Sequence, residues 1–244
     1  MSQDSVSIID RGLRGLLASV EHSFVKETGM RSCRVPAQIS EMKGMLDGSP
    51  LFLRTRRYSG IFFDSLTVAV LESAERLRSL TVIGLPPPGA PWPILGMDII
   101  ALRGSSISLV ALDLAPTDLH LWETSCAPIM SDLHAQLKDA VVPRKRPEFT
   151  ADAFSRLAHI AGARAGREGA VFSAVETLLL RTIELLQRMP TIKYTNAAQE
   201  RRERWLEAEK QNRKEHDALA RLFGPAVARN YLDGFLFASR TGAE

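Results

Sequence analysis

Two apolar runs joined by a short polar loop, within residues 91–116, limit what this chain can fold into. The runs cover residues 94–102 and 107–115 and are rich in isoleucine, leucine and valine, which is typical of buried strands. The loop, residues 103–106, has the sequence Arg-Gly-Ser-Ser and is typical of a turn. So short a connection predicts an antiparallel β-hairpin, because parallel strands need a crossover of a dozen or more residues.

Two aspartates interrupt these runs, although strand propensity and the cost of burying a carboxylate both disfavour them there. The loop implies that Leu102 lies opposite Ile107, which places Asp98 and Asp113 on the same side of the sheet. As diagonal neighbours, their Cα atoms would be roughly 7 Å apart. A buried acid beside another acid has a raised pKa and can donate a proton near neutral pH.

The two aspartates differ in whether a structural role or a role in a functional site is the simpler interpretation. Asp113 stands shortly before Pro116, so a structural role at the end of its strand is the simpler interpretation. Asp98 lies in the middle of its run, where a role in a functional site and a structural role are equally open. A catalytic use of this hairpin would therefore depend on Asp98.

Short extended runs also fill the sequence before the hairpin. Residues 39–116 contain about six of them, separated by turn signals such as residues 47–50, and their short connections predict an antiparallel meander. Residues 1–30 instead show the spacing of an amphipathic helix, and residues 117–240 are predicted to be helical. We interpret residues 1–244 as a single α+β domain.

Within the C-terminal part, residues 151–159 and 196–223 are both predicted to form helices. The second begins with capping residues 196–199 and ends at Gly224. One line along it has apolar ends and a polar middle, and consists of Trp205, Glu209, Asn212, His216, Leu219 and Phe223. The polar middle is either a solvated surface or the place where Asn212 and His216 meet a ligand.

Composition excludes several classes of protein. The formal charge of +3 at pH 7 suits an acidic protein partner as well as a nucleic acid. No motif for binding nucleic acid is present, so we expect no nucleic-acid partner. The first residues lack the pattern of a signal peptide, and charges interrupt the longest apolar stretches, which argues against a membrane partner. Two cysteines and five scattered histidines fit neither a disulfide framework nor a metal site. The low number of cysteines fits a reduced, cytoplasmic location, and we also expect a monomer without a bound metal.

The hairpin resembles the central hairpin of the ferredoxin-dependent bilin reductases. The residues that carry the resemblance are 93–101, Gly104 and 111–116, with support from 154–155, 210–214, 222–224 and 231–237. The resemblance implies a three-layer α/β/α sandwich, in which the bilin lies between an antiparallel sheet and the C-terminal helices. It also implies that Asp98 is the proton donor that faces the bilin and that Asn212 and Lys214 lie near the pocket.

The chain departs from the family pattern at three strand positions. Family members that form phycocyanobilin carry a histidine and a glutamate two residues apart on one strand and another histidine on the next. This chain has Thr67, Ala69 and Thr81 there, and we expect these residues to line the bilin site. His216 or His120 could replace a missing histidine, although a structural role is open for both.

By this resemblance we expect ferredoxin-dependent reduction of biliverdin IXα to a phytobilin, with a phycocyanobilin-like product favoured. The implied mechanism is proton-coupled electron transfer with Asp98 as proton donor, external reduced ferredoxin as electron donor and no bound cofactor. The acidic ferredoxin would dock on basic side chains, for which the candidates are Arg54, Arg56, Lys210 and Lys214. Two alternatives remain open: a non-catalytic protein that binds a bilin or another tetrapyrrole, and a reductase of another linear tetrapyrrole.

Overall fold

A nine-stranded antiparallel sheet forms the middle layer of the protein. The computed structural model describes residues 7–73, 77–102, 106–189 and 193–238. The strands are β1 (Arg31–Cys33), β2 (Glu41–Leu46), β3 (Ser49–Ser59), β4 (Ser65–Ser73), β5 (Leu77–Leu85), β6 (Ile94–Leu102), β7 (Ser106–Ala115), β8 (Val141–Pro143) and β9 (His159–Ala163). They lie in the order β1-β3-β4-β5-β6-β7-β9-β8, and β2 pairs with the first half of β3.

Helices cover both faces of this sheet. They are α1 (Ile8–Ala18), α2 (Ala37–Ser40), α3 (Leu119–Leu121), α4 (Ala127–Leu137), α5 (Glu168–Arg188), α6 (Asn196–Lys210), α7 (Arg213–Phe223) and α8 (Pro225–Tyr231). Three π-helical stretches, Ser19–Val25, Trp122–Cys126 and Leu232–Leu236, extend or connect them, and Glu148–Thr150 forms a 3₁₀ turn. No helix in the described ranges is long and apolar enough to cross a membrane.

Each face of the sheet has its own hydrophobic core. On one face, α1, α4 and α5 pack on inward residues such as Val82 and Met97. On the other, the helices from α6 onward pack on residues such as Leu53 and Ile83. Because the central strands are buried on both faces, their sequences form nearly continuous apolar runs instead of alternating patterns. The predicted α/β/α sandwich is confirmed.

The predicted hairpin is present, with one error in its pairing. Asp98 lies opposite Ala111 and Gly96 opposite Asp113, as the proposed register requires. A β-bulge between Ile100 and Ala101 then shifts the register, so that Leu102 lies opposite Ser106 and not Ile107. A bulge places an extra residue in one strand and is not visible in the apolar pattern. The turn residues 103–105 lie outside the described part of the chain.

The number of strands and one helix were predicted wrongly. The sheet has nine strands instead of about six, because β1, β8 and β9 lie outside residues 39–116. The predicted helix at 151–159 is absent; the segment holds turns, and β9 begins at His159. Its short, alanine-rich sequence has no strand signal of its own. Backbone hydrogen bonding to the free edge of β7 stabilises β9 as a strand.

The predicted helix at 196–223 is two helices, α6 and α7, separated at Gln211 and Asn212. Asn212 leaves the helical backbone with ψ of 77° and precedes α7. Asparagine favours this position because its side chain competes with the helical backbone for hydrogen bonds. The N-cap of α6 is Thr195, one residue before the predicted capping residue Asn196. The Thr195 hydroxyl accepts a hydrogen bond from the backbone N–H of Ala198 at 3.1 Å. Gly224 ends α7 with φ of 91°, as predicted.

Candidate active site

The Asp98 carboxyl lies on the face of the sheet that the C-terminal helices cover. One row across β3 to β7 consists of Thr55, Ala69, Thr81, Asp98 and Ala111. Thr81 Oγ1 donates a 2.9 Å hydrogen bond to Asp98 Oδ1, and Asp98 is half-buried. Burial raises the pKa of Asp98 to about 6, and the Thr81 hydrogen bond opposes part of this rise. This carboxyl can therefore change its protonation state near neutral pH.

Asp113 lies on the same face of the sheet but accepts two hydrogen bonds from Ser155. It is buried, and it accepts hydrogen bonds from the backbone N–H of Ser155, at 2.8 Å, and from the Ser155 hydroxyl. Burial raises the pKa of Asp113 to about 6, although these hydrogen bonds and the charge of Arg146 act in the other direction. Asp113 thus ties the segment before β9 to the sheet, which is a structural role.

Two glutamates from the helical layer face the same region. Glu209 lies on α6 and Glu215 on α7, and both are half-buried. Burial is the main cause that raises the pKa of Glu215 to about 8, with a contribution from the charge of Asp98. Burial also raises the pKa of Glu209, as do the charges of Glu215, Asp98 and Asp113. Glu215 is therefore mostly protonated at neutral pH. Both glutamates face the acids of the sheet across the interface between the sheet and helices α6 and α7, which we call the cleft.

At the β3 end of this row, Thr55 and the nearby Arg57 both have polar partners. The hydroxyls of Tyr231 and Thr55 are 3.3 Å apart, and burial raises the pKa of Tyr231 to about 12, so the phenol stays neutral. Arg57 Nε donates to Thr67 Oγ1 at 3.2 Å, and its Nη2 donates to the carbonyl of Phe235 at 2.8 Å. The guanidinium also lies over the Phe235 ring, 3.6 Å from its centroid.

The predicted strand residues share one face. Ala69 and Thr81 lie in the row of Asp98, and Thr67 lies two residues from Ala69 on the same side of β4. Thr81 contacts Asp98 directly, whereas Thr67 is buried and bonded to Arg57. The structure therefore brings the three positions to the cleft, but only Thr81 touches the candidate proton donor.

The predicted helix residues are divided between the cleft and the surface. Asn212 Nδ2 donates to Glu215 Oε2 at 3.2 Å, so Asn212 lies at the cleft. Lys214 is exposed. His216 Nε2 lies 3.4 Å from Asp233 Oδ1, within the helical layer. His120 is exposed on α3, beyond β7.

Sequence reasoning missed Glu215 and Tyr231 as candidates. Glu215 precedes the buried Leu219 by four residues, and residues four apart lie on the same face of a helix. That spacing was a usable signal for Glu215. Tyr231 is placed by the packing of α8, for which the sequence held no comparable signal. Among the residues that the structure describes, no group of three or more histidine, cysteine or acidic side chains is arranged to hold a metal ion.

The predicted basic docking surface is not a single surface. Arg54 and Arg56 alternate with the buried Thr55 on β3, so their side chains lie on the face of the sheet away from Asp98. Arg54 forms ion pairs with Glu41 and Glu72. Arg56 contacts Glu21 of the N-terminal helical segment. Arg54 and Arg56 therefore do not lie at the rim of the cleft, because they are on the opposite face of the sheet and are paired with acids.

Known proteins resemble this chain over most of its length. A curated phycocyanobilin:ferredoxin oxidoreductase of Prochlorococcus marinus is 26% identical over 219 residues, covering 86% of this chain and 85% of that protein. A second, from Trichodesmium erythraeum, is 23% identical over 55% of this chain and 54% of its own length.

A solved structure supports the fold independently of sequence. The crystal structure of phytochromobilin synthase from tomato in complex with biliverdin matches with a TM-score of 0.72, covering 92% of this chain and 82% of that one. Sequence identity is 15%, so this likeness concerns the fold alone. The family model for ferredoxin-dependent bilin reductase matches residues 17–238. The chain belongs to the ferredoxin-dependent bilin reductase family.

Proposed function

We propose that this protein reduces biliverdin IXα to a phytobilin with electrons from ferredoxin, and that Asp98 donates a proton to the bilin. A phycocyanobilin-like product is favoured, because both curated relatives described above are named phycocyanobilin:ferredoxin oxidoreductases. The observation that carries the proposal is the Asp98 carboxyl, which is half-buried on the helix-covered face of β6 and has Thr81 as its hydrogen-bond donor.

The surroundings of Asp98 suit proton-coupled reduction. Reducing one double bond consumes two electrons and two protons, and ferredoxin delivers its electrons singly, so a bilin radical forms between the two transfers. Asp98, with a pKa of about 6, supplies a proton as the electrons arrive. The Thr81 hydroxyl then stabilises the carboxylate that remains. Glu215, whose pKa burial raises to about 8, adds a second acidic proton to the same cleft.

Replacing Asp98 by asparagine tests this role. The Asp98→Asn variant keeps the shape of the side chain and can still accept the Thr81 hydrogen bond, but it has no proton to give. We expect folding and biliverdin binding, measured by absorption titration, to be retained. Turnover with reduced ferredoxin under anaerobic conditions should fall by a factor of roughly 10² to 10⁴. A bilin radical should accumulate and be visible by electron paramagnetic resonance.

A second acid on the same face provides the control. Asp113→Asn removes a carboxyl whose pKa burial also raises to about 6 but which is bonded to Ser155, so the folded fraction of this variant should retain turnover. If Asp98→Asn turns over at the wild-type rate, Asp98 is not the proton donor. If wild-type protein binds biliverdin but its spectrum does not change with reduced ferredoxin, the non-catalytic alternative is favoured. Chromatography of the wild-type product identifies the phytobilin.

A further inference from the structure

Helix α7 is separated from its neighbours by a break at each end. Asn212 precedes it with ψ of 77°, and Gly224 follows it with φ of 91°, so neither residue has helical geometry. Glycine readily adopts a positive φ, and hinge motions are absorbed by a few residues at the ends of elements. The two breaks therefore allow α7 to move as a unit while α6 and α8 stay in place.

Few side chains hold α7 against the rest of the protein. All 11 of its residues are described, and only Leu219 is buried. Its last residues lie against β2, where a Cβ added at Gly44 would overlap the carbonyl oxygen of Leu222 and the ring of Phe223. Burying one leucine favours the packed position by a factor of roughly 10 to 150. An opposing effect of that size at the same interface can therefore displace the helix.

The opposing effect lies at Glu215, one turn before Leu219 and on the same side of α7. Glu215 is half-buried, and Asp98 of β6 and Glu209 of α6 face it as further acids. The phenol of Tyr231 on α8 faces it as well. Closing α7 with a charged Glu215 thus places like charges together away from water. The other charged groups of this region are Asp113, which faces Glu209, Arg57, which faces Tyr231, and the pair formed by His216 and Asp233.

The charge of Glu215 determines how closure depends on pH. In water a glutamate has a pKa of about 4.3, whereas burial and the charge of Asp98 raise the pKa of Glu215 to about 8 in the closed position. The 3.2 Å hydrogen bond from Asn212 Nδ2 opposes part of this rise. Closure therefore takes up a proton between about pH 4.3 and 8, and the ratio of open to closed protein rises about tenfold per pH unit in this window. At higher pH the ratio becomes constant, because Glu215 is then charged in both positions.

We propose that α7 is a hinged flap over the cleft, closed when Glu215 carries a proton and opened about Asn212 and Gly224 when Glu215 is charged. A rise of about three pH units changes the ratio of open to closed protein by about 10³, which exceeds what the burial of Leu219 contributes. Because Glu215 and Asp98 face each other across the cleft, the flap controls how water and ligands reach Asp98. The inference goes beyond the proposed function, since it concerns the protein without a ligand.

Spin labels on the two sides of the sheet can follow the flap. Asp217 is exposed on α7, and Ser173 is exposed on α5, which packs on the opposite face. Both are replaced by cysteine in a Cys33→Ser background, and pulsed electron paramagnetic resonance measures the distance between the labels from about pH 5.5 to 9.5. A longer distance should gain population by about tenfold per pH unit until the pH reaches about 8. Circular dichroism checks that the protein stays folded.

Two neutralising substitutions separate Glu215 from other charges. Glu215→Gln keeps the shape of the protonated side chain and cannot become charged, so the dependence on pH should weaken by about a factor of ten per unit. Glu209 and Asp98 also have raised pKa values in the cleft, and any remaining dependence is assigned to them. Glu207→Gln is the control, because Glu207 is exposed on α6, and it should leave the dependence unchanged.

Three results would overturn the inference. A single distance over the whole pH range would show that α7 does not move. If the distance lengthens with pH equally in Glu215→Gln, Glu215 does not control the opening. An equal loss of the pH dependence in Glu207→Gln would mean that surface charge in general, and not this acid, moves the helix.

Discussion

At the scale of single residues, the proposed role of Asp98 depends on burial and on the hydrogen bond from Thr81, because both affect the pKa of the carboxyl. Burial raises the pKa of Asp98 to about 6, and the bond from Thr81, which stabilises the charged carboxylate, limits this rise. An acid must be protonated to donate, so turnover that depends on Asp98 should fall as the pH rises through its pKa. This behaviour connects one 2.9 Å contact with a measurable property of the enzyme.

Thr81→Val makes this connection testable. The valine has the shape of threonine without the hydroxyl, so the charged form of Asp98 loses its stabilising partner and the pKa should rise further. We expect the descending limb of the pH–turnover profile to move to higher pH, by roughly half a unit to one unit. Thr55→Val, in the same row but bonded to Tyr231, should leave the limb where it is. If the descending limb of the profile does not move in folded Thr81→Val, the pKa of Asp98 does not determine the pH dependence of turnover.

At the scale of elements, close packing between α1 and α5 gives different roles to two glycines of the same helix. Gly12 and Gly15 both lie in α1. A Cβ added at Gly12 would overlap the buried ring of Phe172 on α5, whereas nothing lies within 4 Å of one added at Gly15. The glycine at position 12 therefore permits the contact of α1 with α5, while the one at position 15 has no such role.

The two glycines give a matched pair of substitutions. Gly15→Ala should stabilise the protein by up to about 1 kcal/mol, because alanine is the better helix former. Gly12→Ala gains the same helical propensity but forces α1 and α5 apart, and should destabilise by about 1–3 kcal/mol. Urea unfolding followed by circular dichroism measures both. Equal effects in the two variants would mean that the contact of Gly12 with Phe172 is not tightly packed.

At the scale of the whole molecule, the two faces of the sheet have different surroundings. Helices α6 to α8 enclose the acids of the cleft, and α1, α4 and α5 enclose an apolar core. Both cores share one sheet, which supports our proposal that residues 1–244 form one domain. An electron donor that serves the cleft should therefore approach from the side of the C-terminal helices.

Charge substitutions on the two faces test the docking side. Arg213 and Lys214 are exposed on α7 beside the cleft, and Arg14 and Lys26 are exposed on the N-terminal helical layer. At low ionic strength, Arg213→Gln with Lys214→Gln should raise the KM for an acidic ferredoxin roughly three- to tenfold. The effect should shrink as salt screens exposed charges. Arg14→Gln with Lys26→Gln should change the KM little, and a larger effect for this pair would place docking on the other face.

The prediction from sequence was most accurate where a periodic pattern is tied to local geometry. The apolar runs around residues 103–106 were enough to place Asp98 opposite Ala111 and to orient Asp98 and Asp113 on one face. Gly224 marked the end of α7. The bulge at Ile100 and the break at Asn212 were missed, because each inserts one irregular residue without disturbing the apolar periodicity.

The sequence by itself determined the antiparallel meander, most of the helices that follow it and the place of Asp98 in the middle of its strand, because these depend on side-chain periodicity and short connections. Only the tertiary structure decided that His159–Ala163 is a strand, since its hydrogen-bond partners come from β7. Only the tertiary structure could bring Glu215 and Arg202 beside residues more than a hundred positions away. Burial raises or lowers a pKa according to the atoms that surround the group in space, and these are set when distant segments pack together.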